Sequence, residues 1–313
     1  MCCLFGLIDC RRTLTAKQKN RLIFALAEAA EARGTDATGI AYNAGGRLRI
    51  YKRPWPAHLM RFHIPADVAT VMGHTRMTTQ GSQIRNRNNH PFPGQIGKLR
   101  FALAHNGVLF NDRSLRRSLH LPETNVETDS YVAVQLIERE KALGFDSLRS
   151  MAEKVEGSFS FSILNDESSL YLVKGDSPLV LVRFPALDLY VYASTKEILE
   201  QALEKARLSC WQTERVDLCC GDILRIDATG ALSRQWFDAT NLMGVGGWYG
   251  MPRTPFKYSH PAAAGPQDPY LEELRSVAPS FGYTPEAIDR LFAAGMEPEE
   301  IEDFLCCGGC GEL

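Results

Sequence analysis

Short apolar strands set at hairpin spacing are the feature that most limits what this chain can fold into. Gly39–Tyr42 and Arg47–Tyr51 flank Asn43-Ala44-Gly45-Gly46, a connection that reads as a β-hairpin and so pairs antiparallel neighbours. Further strand patterns lie at Cys3–Ile8, Thr70–His74 and Phe101–His105, with a polar loop of Asn, Arg, Gly and Pro between the last two. A second group follows at Phe159–Leu164, Ser169–Lys174, Leu179–Arg183, Leu189–Ala193 and Asp222–Ile226, the last strand, ending in a turn at Ala228-Thr229-Gly230. Helical periods fall between them. Ala16–Arg33 opens on a capping box of Thr15 with Gln18 and closes at Gly34; others run from after Thr128 to about Leu143, over Leu148–Glu156 and over Glu197–Lys205. Two strand clusters with interleaved helices predict an α+β fold of stacked, mostly antiparallel sheets covered by helices, in preference to a doubly wound parallel sheet.

The bulk properties narrow the function. The 313 residues are ample for a sizeable core, and a net charge of -2 without any long Lys/Arg run predicts neither a nucleic acid nor an anionic membrane as partner. Nine cysteines, several in adjacent pairs (Cys2/Cys3, Cys219/Cys220, Cys306/Cys307), suit no disulfide framework and predict a reducing cytoplasm. No span-length apolar stretch occurs, and the N-terminus lacks a basic leader. Beyond about Asp238 the composition shifts. Residues 239–268 read as a Gly/Pro-rich linker, and residues 269–313 as a small helical segment (Pro269–Val277, Thr284–Ala294, Glu297–Leu305) with a tail bearing Cys306, Cys307 and Cys310. Those three thiols lack a fourth zinc ligand, and no HExxH or paired CxxC is present, so no metal and no cofactor are expected.

Four features bear chemistry. Cys2 follows Met1 directly, so removal of Met1 would place a free α-amine on the residue that carries the thiol, a nucleophile with its own base; taken alone, it reads rather as an apolar strand residue. Arg76, in Gly73-His74-Thr75-Arg76-Met77-Thr78-Thr79-Gln80-Gly81, offers a fork for a carboxylate or is a surface arginine. Asn106 and Gly107 supply a side-chain amide and a backbone N–H for a developing oxyanion, or form a plain Asn-Gly turn. Asp129, in Glu127-Thr128-Asp129-Ser130, accepts from an ammonium, or it or Thr128 caps a helix. Together they cover the requirements for attack on the side-chain amide of a free amino acid.

This set resembles the class II (type 2, N-terminal-nucleophile) glutamine amidotransferase domain, in stand-alone form. The likeness runs collinearly over residues 2–238, through Cys2–Gly6, Arg33-Gly34-Thr35-Asp36, Gly73-His74-Thr75-Arg76, Asn89-His90-Pro91-Phe92, His105-Asn106-Gly107, Thr128-Asp129-Ser130, Lys174-Gly175-Asp176-Ser177-Pro178-Leu179 and Cys220-Gly221-Asp222-Ile223. The resemblance implies a four-layer αββα sandwich. It also implies Cys2 as nucleophile, Asn106 and Gly107 as oxyanion hole, Arg76 and Asp129 as holders of the glutamine α-carboxylate and α-amine, and Thr79 as a pocket residue. Glutamine, or another γ-glutamyl compound, is the implied substrate, and a separate synthase subunit the implied taker of ammonia. A catalytically silent protein of the same fold ranks last, because Cys2, Arg76 and Asn106 are all present. The chain departs from the family at Cys3, where Gly is usual, at Met77, where an aromatic is common, and at Gln80, where a His often sits. Cys3 would set a second, oxidisable thiol beside the nucleophile.

Overall fold

A computed structural model describes residues 2–240, 242, 269–281, 283–294, 296 and 301. The first strand, β1 (Cys3–Asp9), has every residue buried. It lies between β4 (Thr70–Arg76) and β10 (Leu189–Ala193), and the sheet extends through β2 (Ala37–Ala44) and β3 (Arg47–Arg53) on one side, and β9 (Val180–Phe184) and β11 (Glu214–Val216) on the other. A second sheet runs β13 (Leu232–Trp236), β12 (Asp222–Ile226), β8 (Leu170–Lys174), β7 (Gly157–Asn165), β6 (Leu99–Leu109) and β5 (Phe92–Ile96). Every neighbouring pair within both sheets is antiparallel.

Side-chain alternation sorts these strands into layers. Cys3, Phe5 and Leu7 pack with Leu22, Ile23 and Leu26 of α1 (Ala16–Ala29) and Leu199 and Ala202 of α5 (Lys196–Ala206). Leu4 and Ile8, on the opposite face of β1, meet Ala102 and Ala104 of β6 and Leu172 of β8 between the sheets. Leu103 of β6, with Phe159 and Phe161 of β7, packs under Val132 and Leu136 of α3 (Tyr131–Arg139) and Leu148 and Met151 of α4 (Phe145–Lys154). Three apolar seams between four layers make the expected α+β αββα sandwich.

Local signals were read correctly where they are strong. Thr15 and Gln18 form the capping box, and Gly45 and Gly46 take φ of +59° and +68° at the β2–β3 turn, a region that glycine enters without strain. Other expectations are corrected. The polar loop between β4 and β6 contains strand β5, whose Pro93 is tolerated because β5 ends its sheet. Helix α2 (Asp112–Ser118) was not foreseen, and α3 stops at Arg139, short of Leu143, before Lys141 turns to φ +55°. Asp222–Ile226 is not the last strand, because β13 pairs beyond it.

Residues 253–313 form a separate compact unit. Its described part holds α6 (Pro269–Val277) and α7 (Pro285–Ala293), packed through Leu271, Leu274, Ile288 and Ile301. Cys306, Cys307, Cys310 and nearly all of Glu297–Leu305 lie outside the described residues.

Candidate active site

Alternation along β1, β4 and β6 aims Cys2, His74, Arg76 and Asn106 into the space between the sheets, because they share parity with Leu4, Met72 and Ala104 of the inter-sheet core. Ser194 joins the two sides. Its Oγ accepts the Leu4 backbone N–H at 2.8 Å and the Asn106 Nδ2–H at 3.4 Å, which ties the strand that follows Cys2 to the amide of the opposite sheet. A second tie runs from His74 Nε2 to the His105 carbonyl at 3.0 Å.

Cys2 is buried, with Sγ 3.5 Å from the Met77 carbonyl, and its own carbonyl accepts from Arg33 Nε at 3.0 Å. Burial pushes the thiol above its ordinary value, while a Met77 backbone hydrogen bond and the Arg76 charge draw it part of the way back. Cys3 does not set its thiol beside that of Cys2, as the sequence suggested. It points into the helical seam, is fully buried, and has its thiol pushed up to about 11 by desolvation. A buried thiol held in its protonated form is a poor nucleophile.

Asn106 and Gly107 lie inside β6 opposite Ser160 and Phe159, so they are not a turn. Gly107 has φ +136°, and a Cβ there would stand 1.9 Å from the Ser158 carbonyl oxygen, so only glycine fits. Arg76 is buried, not a surface residue; Nη1 donates to Asn89 Oδ1 at 2.7 Å, and Nη2 to the carbonyls of Gln80 and Gly81 at 2.6 and 2.9 Å. Its fork thus braces the loop that follows β4. Thr78 N–H donates to Asp36 Oδ2 at 2.7 Å, while Met77 and Thr79 are exposed on that loop.

Asp129 is buried, and neither it nor Thr128 caps α3, whose N-cap position is Ser130. Asp129 Oδ2 accepts the Leu109 N–H at 2.7 Å, and Oδ1 has a 3.4 Å contact with Ser130 Oγ. Ser130 also meets His105 Nδ1 at 2.8 Å. Glu127 clasps the loop after β4: its carbonyl accepts Gln80 Nε2 at 3.0 Å, and its carboxylate takes Asn88 Nδ2 at 2.8 Å and pairs with Arg85.

Three histidines, His74, His90 and His105, are buried behind these groups, and desolvation keeps all three below their ordinary values, His74 at about 3. The His74 and His90 rings lie 4.1 Å apart, and both His90 nitrogens are buried without a hydrogen-bond partner. Among the described residues no group of three His, Cys, Asp or Glu side chains is placed to hold a metal. The site residues missed in the sequence are Ser194 and Glu127. Glu127 opens the Glu127-Thr128-Asp129-Ser130 stretch; nothing local marks Ser194.

Two antiparallel sheets between helical layers, with a cysteine leading the central strand, give the chain the αββα sandwich fold of the N-terminal-nucleophile hydrolases. Residues 74–201 match the family model described as a glutamine amidotransferase domain. That span holds Arg76, Asn106, Asp129 and Ser194; Cys2 precedes it. The chain is similar to glutamine–fructose-6-phosphate aminotransferase (isomerizing) of Bacillus cereus, 33% identical over 162 residues, covering 49% of this chain and 26% of that protein. The Streptococcus pyogenes enzyme of the same name is 31% identical over 163 residues, with the same coverage. This chain therefore spans about a quarter of the length of these relatives. Among solved structures, the fold is similar to the allosteric regulatory enzyme of purine biosynthesis, with a TM-score of 0.60 at 20% identity over 75% of this chain and 49% of that one. The glutamine phosphoribosylpyrophosphate amidotransferase of B. subtilis gives 0.57 at the same identity and coverage. Among the described residues, no helix is long and apolar enough to cross a membrane.

Proposed function

We propose that this chain hydrolyses the side-chain amide of glutamine to glutamate and ammonia, with Cys2 as nucleophile once the Met1–Cys2 bond is cleaved. The observation that carries the reading is the Ser194 bridge, which sets the Asn106 amide opposite the strand that presents Cys2. Because burial holds the thiol in its protonated form, attack needs a base at hand. The α-amine freed by cleavage is that base. Sγ bonds to the amide carbon as the thiol proton passes to the amine, and the carbonyl electron pair moves onto oxygen, where the Asn106 amide and the Gly107 N–H receive it. Collapse expels ammonia, which takes the proton. Water then attacks the thioester, releasing glutamate and restoring the thiol.

Asp129 suits the α-ammonium, since Leu109 N–H fixes Oδ2 while Oδ1 has only the long contact to Ser130. Arg76 supplies positive charge for the α-carboxylate at the base of the braced loop, and Thr79 lines the mouth. A separate synthase subunit is the proposed acceptor of the ammonia. Met77 is half exposed where an aromatic cover is usual in the family, which favours as second reading a γ-glutamyl amide with a larger amine.

The test is intact-protein mass spectrometry with peptide mapping before and after treatment with diazo-oxo-norleucine. The expected result is loss of Met1 and one adduct, on Cys2, with no turnover of glutamine by Cys2→Ala. A retained Met1, or an unmodified Cys2, refutes the mechanism. Turnover of substituted γ-glutamyl amides in preference to glutamine selects the second reading.

A further inference from the structure

A cavity of about 630 Å³ opens where the free edges of the two sheets, β3 and β5, come together, and none of the groups assigned to catalysis lines it. Its volume is that of a site for a small organic molecule. The floor is apolar, from Leu48, Ile50, Phe92, Phe101, Val126 and Tyr131. Around it stand four cations, Lys52, Arg53, Arg87 and Arg100, against one carboxylate, Glu138, in a chain whose net charge is -2.

Lys52 and Arg53 are held in place. Lys52 Nζ donates to the carbonyls of Asn89 and Pro91 at 2.5 and 3.0 Å, which uses two of its three protons. Burial and the neighbouring Arg76 charge draw its ammonium down to about 8, so an anion beside it would restore the lost stabilisation. Arg53 donates Nη1 to the Lys52 carbonyl at 2.9 Å and lies over the Tyr51 ring. Arg87 reaches Glu127 only at 3.8 Å, and Arg100 is exposed at the rim. Glu138 is partly engaged, accepting the Gln95 N–H at 2.9 Å.

An apolar floor with an excess of positive charge discriminates for two properties at once. We propose that this cleft is a binding site for an amphipathic organic anion: a flat apolar body carrying a phosphate or carboxylate at one end. The body covers Leu48, Ile50, Val126 and Tyr131, and the anionic end meets Lys52 with the Arg87 and Arg100 guanidinium groups, which suit bidentate pairing.

The test is isothermal titration calorimetry on the full chain, with adenosine monophosphate and indole-3-acetate as amphipathic probes and inorganic phosphate and indole as their halves. The expected result is saturable one-to-one binding of at least one amphipathic probe, at least tenfold tighter than either half. Affinity should fall at least tenfold in the double variant Arg87→Glu/Arg100→Glu, whose side chains are exposed and whose fold should persist, and also in Leu48→Trp, which fills the floor. Preference for one probe identifies the anionic group as phosphate or carboxylate. Failure of both amphipathic probes to bind, equal binding by the charge-reversed variant, or indole binding as tightly as indole-3-acetate overturns the proposal. Labelling of Cys2 is read separately, so failure here leaves the glutaminase reading untouched.

Discussion

Replacing Ser194 by Ala removes one oxygen and separates two roles of the bridge. The side chain is fully buried, and its Oγ accepts the Leu4 N–H at 2.8 Å. Without it that strand N–H is left in the core with no acceptor, which costs about 1–3 kcal/mol in unfolding free energy. The 3.4 Å contact with Asn106 Nδ2 is long and adds little to stability, but among the described residues it is the one acceptor that orients the amide. Losing a donor from an oxyanion hole costs roughly 10²–10³ in turnover, the effect expected of Asn106→Ala. Ser194→Ala leaves the donor present and merely loosens its aim, so kcat should fall about tenfold, a fraction of that full loss, with KM little changed. Urea unfolding and steady-state release of ammonia from glutamine, corrected for the folded fraction, give the two numbers. A stability loss below about 0.5 kcal/mol would mean that the Leu4 N–H finds another partner. An unchanged kcat would show that Asn106 is aimed by something other than Ser194, and the bridge would then be structural only.

Two further outcomes follow from buried charge. Lys19 and Asp9 pair at 3.2 Å with both side chains wholly buried, and Asp9 also takes the Thr13 and Leu14 N–H groups at 2.8 and 3.1 Å; Lys19→Met strands the carboxylate and should cost about 3–5 kcal/mol by chemical denaturation, while Asp9→Asn/Lys19→Met should recover part of it. His74, held at about 3 in the fold against an ordinary 6.5, stays neutral while the unfolded chain takes up a proton, so stability is full above pH 6.5 and declines as pH falls towards 3. At pH 5 the loss from His74 alone should be about 2 kcal/mol, and thermal melts at pH 7.5 and 5 should show it; His74→Gln should flatten the decline, and an unchanged slope would refute the assignment.

What could be read in the sequence were the features whose cause is local. The Thr15–Gln18 cap, the Gly45-Gly46 turn and the alternating strands each follow from the backbone preferences of a few adjacent residues. Cys2, Arg76, Asn106, Gly107 and Asp129 could be proposed from the sequence because their functional groups, in that order, suit one chemistry. Strand β5 was hidden because Pro93 and Gly94 disfavour strands, and only its place at a sheet edge, with Gly94 against the Phe101 ring, makes them acceptable. The facing of Cys2 and Cys3 was hidden too, since a strand puts neighbouring side chains on opposite faces but does not say which face meets the other sheet. Tertiary structure alone decided that Ser194 would lie under Leu4, 190 residues earlier, and beside Asn106, and that Arg76 would brace its own loop. Such contacts depend on strand order across two sheets. Side-chain chemistry sets what each residue can do, and the long-range pairing of strands sets which residues do it together.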